Sequence, residues 1–397
     1  MNASSFEPRR RELMLAALAL LGGCGGVDSG GTGTGASSTY AVGPITGFGS
    51  IIVNGVRYDD TSAVIDDDDG RVRSSAELKL GMRTEVLASA ITVNSGVSSA
   101  TAASIRVHSE IVGPLEAIDR VDARLTVLGQ SVAVVATTAF DSTLTAGLAS
   151  LAPGDLLEIY ATLDIATNRY VASRVERRSS VSAYKLRGAV TALALTARTL
   201  TIGGATIDWS AVPPADPATA LAAGRLIRVT LATTPTPTTG VWRATALSAA
   251  VVRPEDREVA EIEGRITSLT SPTSFALNGI PVDATAASLP NGGAGLAVGV
   301  QIEAHGSLRN GVLVASRVEL KSSEGGPDAF ELHGRIDAVD TPAQRFVVRG
   351  VTVMWSAATR FDSSGPGDIA VGRNVEVKGR LSADGLLIEA TSVHVEL

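Results

Sequence analysis

The chain has 397 residues, and 45% of them are hydrophobic against 19% charged, a composition typical of a folded globular protein rather than a disordered one. The formal net charge of −7 argues against a nucleic acid as the natural partner. The one cysteine in the sequence cannot form an intrachain disulfide, so packed cores must stabilise the fold.

The first 24 residues predict export and lipid anchoring. Three arginines, Arg9–Arg11, precede a nine-residue apolar run at 13–21, which is the layout of a secretory signal and is too short to span a bilayer. The LGGC sequence that ends at Cys24 resembles the lipobox of bacterial lipoproteins. This resemblance implies a signal peptide over 1–23, lipidation of Cys24 and, because Gly25 rather than an aspartate follows, the outer membrane. An ordinary signal with an incidental cysteine, and export by the twin-arginine route, are the open alternatives.

A flexible tether is predicted over 24–39. The segment is rich in glycine, serine and threonine and has no apolar period, so it cannot bury enough surface to fold by itself. A coil of this length would hold the folded body roughly 20 Å from the membrane.

Three short motifs then recur in the same order every 70 to 76 residues, five times over. The Gly-x-apolar-x-x-apolar motif begins at Gly43, Gly113, Gly188, Gly264 and Gly334. The Leu-x-x-Gly motif, with isoleucine in the last copy, ends at Gly81, Gly154, Gly224, Gly299 and Gly372. The Ala-x-x-aliphatic motif begins at Ala102, Ala172, Ala244, Ala315 and Ala390. The repeat predicts five modules, at 40–108, 109–180, 181–253, 257–321 and 328–397.

Each module shows the period-two alternation of β-strands, and we count five strands in each. Asn54-Gly55 and Asn278-Gly279 predict type I′ hairpins between the second and third strands. We therefore expect an all-β protein of tandem small five-stranded antiparallel, barrel-like modules of OB-like type, with a two-sheet sandwich as the alternative. In the fourth strand the alternation predicts that Glu158, Glu303 and Glu376 face water.

The modules resemble a family of domains of unknown function numbered 5666. The resemblance is carried by the sequences at 334–340, 371–377 and 390–393 and, for lipoproteins of that family, by 47–56. It is sharpest in modules one, four and five and weakest in module three, where Arg228 replaces the glutamate. The resemblance implies an exported β module of barrel type and supplies no catalytic residues.

Candidate chemistry is sparse. The four histidines, His108, His305, His333 and His394, lack metal-ligand spacing, and Ser182-x-x-Lys185 lacks the companion motifs of penicillin-binding enzymes. The run Asp66, Asp67, Asp68 and Asp69 is a weak metal candidate, because Ile65 and Ala76 stand where an EF-loop needs its first and last ligands. A solvated acidic turn is the favoured interpretation. Trp209 and Trp355 occupy equivalent positions on the apolar face of their hairpins, which favours core packing over an exposed binding platform.

The sequence therefore predicts an exported, lipid-anchored multi-module β protein with a binding or structural role at the outer membrane. No catalytic constellation is visible, and no cofactor is expected. The expected partners are the membrane, through Cys24, and an envelope protein or polysaccharide, with no nucleic acid. A cell-envelope hydrolase with its site in a module insertion, and a cation-dependent surface adhesion protein, are the alternatives. A pocket with converging polar side chains would discriminate among them.

Overall fold

Five small β-barrels follow one another along the chain in the computed structural model. The structure describes residues 38–212, 221–235, 240–250, 254–322, 325–326, 328–362 and 365–396. Helical structure in these residues is limited to single 3-10 turns, at Ser75–Glu77, Gly147–Ser150, Pro290–Gly293 and Pro366–Asp368. None of these turns is long and apolar enough to cross a membrane.

The strands are numbered in chain order, and each module supplies at least five. Module one contains β1 (Thr39–Phe48), β2 (Ile51–Val53), β3 (Val56–Asp59), β4 (Val64–Asp67), β5 (Arg83–Ala88), β6 (Thr92–Asn94) and β7 (Val97–His108). Module two contains β8 (Ile111–Asp119), β9 (Arg124–Val127), β10 (Gln130–Phe140), β11 (Leu156–Asp164) and β12 (Arg169–Arg178). Module three contains β13 (Tyr184–Ala194), β14 (Thr199–Ile202), β15 (Ala205–Asp208), β16 (Leu226–Leu231) and β17 (Trp242–Ala249).

The last two modules follow the same plan. Module four contains β18 (Arg257–Ser271), β19 (Ser274–Leu277), β20 (Ile280–Asp283), β21 (Gln301–Arg309) and β22 (Val312–Leu320). Module five contains β23 (Phe330–Asp340), β24 (Arg345–Val348), β25 (Val351–Met354), β26 (Arg360–Asp362), β27 (Asn374–Leu381) and β28 (Ile388–Val395).

Each module closes on itself as a five-stranded barrel. In module two, β8 pairs antiparallel with β9 and β11, β9 pairs antiparallel with β10, and β11 pairs antiparallel with β12. The barrel is closed by a parallel pairing of β10 with β12. The other four modules repeat this order, with the third and fifth barrel strands parallel. The OB-like prediction is confirmed, and the closed order rules out the two-sheet sandwich.

The first two motifs recur in phase because they make one contact. In every module the glycine that ends Leu-x-x-Gly donates its N–H to the carbonyl of the first apolar residue of the other motif. The pairs, at 2.8 to 2.9 Å, are Gly81–Ile45, Gly154–Leu115, Gly224–Val190, Gly299–Ile266 and Gly372–Ile336. These five glycines have φ between +79° and +95°, a conformation that L side chains rarely adopt.

The three-residue spacing inside the motifs reflects β-bulges. A regular strand would place residues three apart on opposite faces. In every module the pairing of the first and second strands shifts register within the Gly-x-apolar-x-x-apolar motif. The pairing of the fourth and fifth strands shifts likewise at the alanine of the third motif. Each bulge returns the second apolar residue of its motif to the core face.

The hairpins explain the first glycine of the repeat. Asn54 and Gly55, like Asn278 and Gly279, all have positive φ, which confirms the predicted type I′ turns. The Asn278 side chain folds back and donates from Nδ2 to the carbonyl of Glu263 at 3.2 Å. A Cβ on Gly264 would lie 2.0 Å from that nitrogen, so the motif needs a residue without a side chain at this position.

Gly264→Ala is expected to destabilise the protein by about 1–3 kcal/mol, because the added methyl group must displace Asn278 and break its hydrogen bonds. The measurement is urea unfolding of both chains. Gly367→Ala is the matched control, since a Cβ there meets nothing within 4 Å. Equal losses in the two variants would show that Asn278 does not set the requirement.

The modules associate out of chain order. The first strand of module one, β1, pairs in parallel with β18 of module four and, at its other end, with β23 of module five. Modules one and five share one hydrophobic core, and modules two and three share another. Tyr40 and Val42 of module one pack into the core of module four. The strand pairings of module one with other modules therefore join it to modules distant in sequence.

The expectation that the fourth-strand glutamates face water is wrong for two of the three. Glu158 is 6% exposed and Glu303 is 2% exposed, whereas Glu376 is about one-third exposed. Glu158 lies 3.4 Å from Arg178 and Glu303 lies 2.5 Å from Lys321. The outer face of an isolated barrel would be solvated. In the assembled protein part of that face is covered, so its charges are paired.

Candidate functional site

The acidic run does not form a freely solvated turn. Asp66 pairs with Arg106 at 3.1 Å, within module one. Asp68 forms an ion pair with Arg228 and Asp69 forms one with Lys185, so both bridges cross to module three. Lys185 of the Ser-x-x-Lys sequence therefore forms its ion pair with the acidic run.

Asp67 is the most enclosed carboxylate of the run, at 7% exposed. Its oxygens accept the backbone N–H groups of Asp69 and Arg71 at 3.1 and 2.9 Å, and Arg73 lies 3.2 Å away. Burial would raise the pKa of Asp67, but the Arg71 N–H and the Arg73 guanidinium hold it below its ordinary value. The ligand atoms of Asp67, Asp68 and Asp69 do lie within 4.8 Å of one another, so a cation site there stays a prediction.

Calcium is expected to bind the acidic run with a Kd of about 1 mM or weaker. The physical reason is that Arg106, Lys185 and Arg228 already neutralise carboxylates that an ion would need. Calorimetric titration of the wild-type chain and of Asp69→Asn measures this. A micromolar Kd that disappears in Asp69→Asn would contradict the expectation and support cation-dependent adhesion.

A second cluster, on the outer face of module four, was missed by the search for ligand spacing. Glu261 on β18 faces His305 on β21 across the sheet, with Oε1 3.5 Å from Nδ1. Glu303 lies 3.2 Å from the other ring nitrogen, Nε2. The hydrogen bond to Glu261 raises the pKa of His305 above its ordinary value. The two carboxylates lie beside opposite ring nitrogens, and Nη2 of Arg317 lies 3.2 Å from Nε2. The cluster is therefore better suited to an ion-pair network than to binding one metal ion.

A third group of charges lies where modules one to four meet. Glu110, 3% exposed, accepts from Arg187 Nη1 at 2.7 Å, and the backbones of the two residues are joined by a further hydrogen bond. Arg83 is also 3% exposed and donates from Nη2 to the carbonyl of Glu263 at 3.0 Å. Buried charges of this kind are costly unless paired, so they specify how the modules dock.

This junction contains a cavity of about 310 Å³ between modules one and three, and the cavity is partly open to solvent. We call it the junction cavity. An inner cavity of about 50 Å³ adjoins it and reaches toward modules two and four. The two share the side chains of Glu85, His108, Arg187 and Ala250. The remaining lining of the junction cavity is Asp67, Asp68, Gly70, Arg106, Arg228 and Ala249.

Two groups in this lining have unmet hydrogen-bonding capacity. Among the described residues, Glu85 has no hydrogen-bond or ion-pair partner within 4 Å, although it is the cross-strand partner of Arg106. Burial raises its pKa, against the opposing effect of Arg187. His108 is 9% exposed and its Nδ1 has no partner. Burial, reinforced by nearby guanidinium groups, lowers the pKa of His108 well below 6.5, so the ring is neutral near pH 7.

The lining of the junction cavity is mostly polar and charged. Within the described part of the chain, its lining offers carboxylates, guanidinium groups and an imidazole, and no hydroxyl or thiol nucleophile beside His108. Such a set can hold a polar ligand through several hydrogen bonds. The sequence identified none of His108, Glu85 and Arg187 as a site residue, because nothing in a period-two pattern distinguishes an interface from solvent.

The remaining sequence candidates do not join this site. Trp355 is 4% exposed and packs against Phe346, which confirms the predicted core role. Trp209 is only partly buried, and Arg198 lies over its ring at 5.2 Å. His333 pairs with Glu396 on the surface. Cys24 lies outside the described residues.

Comparison with known families identifies three of the five modules. The model of the domain of unknown function DUF5666 matches residues 112–176, 263–319 and 333–394. The protein contains repeated DUF5666 domains. The three DUF5666 matches fall in modules two, four and five, so module two is matched where the sequence resemblance pointed to module one. Module three, expected to depart most, is not matched. No curated protein compared with the chain matches it.

Proposed function

We propose that this protein is an exported lipoprotein, anchored to the outer membrane through Cys24, whose five DUF5666-like barrels form one binding body. The lipobox-like sequence before Cys24 and the glycine-rich tether after it support the anchor. The described residues between 38 and 396 belong to one compact unit, which supports a body that acts as a whole. The binding role rests on the junction cavity.

The cavity is the observation that carries the proposal. OB-type barrels often present separate binding faces, one per module. Here the first strand of module one pairs with strands of modules four and five. The acidic run of module one forms ion pairs with module three. The space that converging polar side chains leave open lies between modules rather than inside one. A pocket at the interface of domains is a common place for a ligand site.

Cys24→Ser is expected to release the protein from membranes, because no other residue in the sequence can accept the lipid of a lipobox. Fractionation of inner and outer membranes and of soluble envelope contents measures this. Gly25→Asp is the matched variant: it keeps the cysteine and is expected to shift the protein to the inner membrane. A Cys24→Ser protein that still fractionates with the outer membrane would sink the anchor proposal.

A further inference from the structure

The junction cavity has polar groups that converge on a space without contacting one another. Glu85 lies among the guanidinium groups of Arg83, Arg106 and Arg187, which all act on its charge, yet it forms no ion pair with any of them within 4 Å. His108 borders the same space, with one ring nitrogen lacking a partner. Glu85 is half-buried and borders the cavity, so its carboxylate is a free acceptor that a group occupying the space could meet.

The charges of the lining indicate a neutral occupant. Arg106, Arg187 and Arg228 are balanced by Asp67, Asp68 and Glu85. A phosphate or carboxylate would match the arginines but would meet three carboxylates. A metal ion or an ammonium group would match Glu85 but would meet three guanidinium groups. Since a buried charge needs a compensating one, a net-neutral lining favours an uncharged ligand.

The unused hydrogen-bond donors and acceptors of the lining indicate which functional groups a neutral ligand would have. Arg106 and Arg187 each use some of their N–H groups on Asp66 and Glu110 and have others to donate. Glu85 can only accept while it is ionised, and neutral His108 can donate or accept. Hydroxyl groups do both, and several on one small carbon frame would satisfy this set together. A cavity of about 310 Å³ lies at the lower end of the range for small-molecule sites.

We infer that the junction cavity binds a small neutral polyhydroxylated molecule of monosaccharide size, with Glu85 accepting from its hydroxyl groups and the arginines donating to them. This inference rests on the proposed binding function and names its ligand class. The same chemistry is offered by a free sugar and by the terminal residue of an envelope glycan, and the two sources differ only in what extends out of the cavity.

The test is calorimetric titration of the purified lipidated protein, in a detergent that carries no sugar and in buffer without glycerol. The probes are glucose, N-acetylglucosamine, the chitotriose oligomer, inorganic phosphate and glycine. We expect at least one monosaccharide to bind and phosphate and glycine not to bind. Chitotriose binding as well as N-acetylglucosamine would assign the site to a glycan end, and monosaccharide binding alone would assign it to a free sugar.

Two variants locate the binding. Glu85→Gln keeps the shape of the side chain and is expected to weaken sugar binding tenfold or more. Ala249→Phe fills the cavity without removing a charge and is expected to abolish binding. Glu319→Gln, on an exposed side chain of module four, is the control and should bind as the wild type does. Thermal unfolding of each variant shows that it is folded.

The inference is overturned if no sugar binds, if phosphate or glycine binds in place of sugar, or if both cavity variants bind as tightly as the control. A protein that fractionates with the outer membrane through Cys24 and yet binds no sugar would overturn this inference and leave the anchor proposal standing. A Cys24→Ser protein that stays with the outer membrane and still binds sugar would contradict the anchor proposal and leave this inference standing.

Discussion

Arg187→Met is expected to lower the free energy of unfolding by about 2–4 kcal/mol, the largest effect of any single substitution considered for this protein. The variant leaves Glu110, which is 3% exposed, without the guanidinium that lies 2.7 Å from it. It also removes the hydrogen bond from Arg187 Nε to the carbonyl of Ala250. The bond to Glu110 holds module three against the start of module two, whereas the bond to Ala250 lies within module three, so part of the loss falls on docking. Urea unfolding of the whole chain measures it.

Two companion variants separate an unpaired charge from a general loss of packing. Arg360→Met removes an ion pair whose side chains are 72% and 46% exposed, and is expected to change the stability by less than about 1 kcal/mol. The double variant Glu110→Leu/Arg187→Met removes both buried charges and should recover much of the loss, because two apolar side chains need no partner. A double variant that is less stable than Arg187→Met would contradict this account.

The stability of the protein is expected to fall as the pH drops below 6.5, in part because of His108. Its pKa is lowered in the folded chain, by burial first and by Arg187, Arg83 and Arg106 after that. Between the folded pKa and 6.5 the unfolded chain therefore binds a proton that the folded chain does not, and acid favours unfolding. Glu85 faces the same cavity and its own raised pKa opposes the trend, so the test is the difference made by His108→Gln. Urea unfolding from pH 5 to 8.5 should show a shallower acid slope in that variant.

His305 is expected to act in the opposite sense. Its pKa is raised by its hydrogen bond to Glu261, so the stability it contributes is present below pH 6.5 and is lost as the pH rises through its folded pKa. His305→Gln is therefore the matched control: it should flatten the alkaline limb of the profile and leave the acid limb unchanged.

Identical acid slopes in the wild type and in His108→Gln would show that His108 is not buried as described.

The local architecture of each barrel was within reach of the sequence. Asn54-Gly55 and Asn278-Gly279 require positive φ wherever they occur, so they predict the hairpin turns without any tertiary information. The three motifs likewise correspond to contacts inside one module, such as that between Gly81 and Ile45. When both partners of a contact lie within one module of about 70 residues, the same residue types recur at a fixed spacing in every module. The five copies of the repeat show this spacing.

The fourth-strand glutamates mark the point at which such reasoning stops. Period-two alternation assigns Glu158, Glu303 and Glu376 to the outer face of their barrels, and this assignment does not depend on what lies beyond that face. Two of the three are buried, because the assembled modules and their cross-strand partners cover it. The alternation of apolar and polar residues distinguishes the inner face of a barrel from its outer face. It does not predict whether a neighbouring barrel covers that outer face.

The sequence by itself thus determined an all-β chain of five OB-like modules, its repeat of DUF5666-like motifs and its candidate anchor at Cys24. Only the tertiary structure decided that module one pairs with modules four and five, and that Glu85 and His108 meet Arg187 around one cavity. These contacts join residues between about 75 and 290 positions apart, some through strand pairing and others through individual side chains. A repeated motif records what every module shares, whereas docking depends on the residues in which the modules differ.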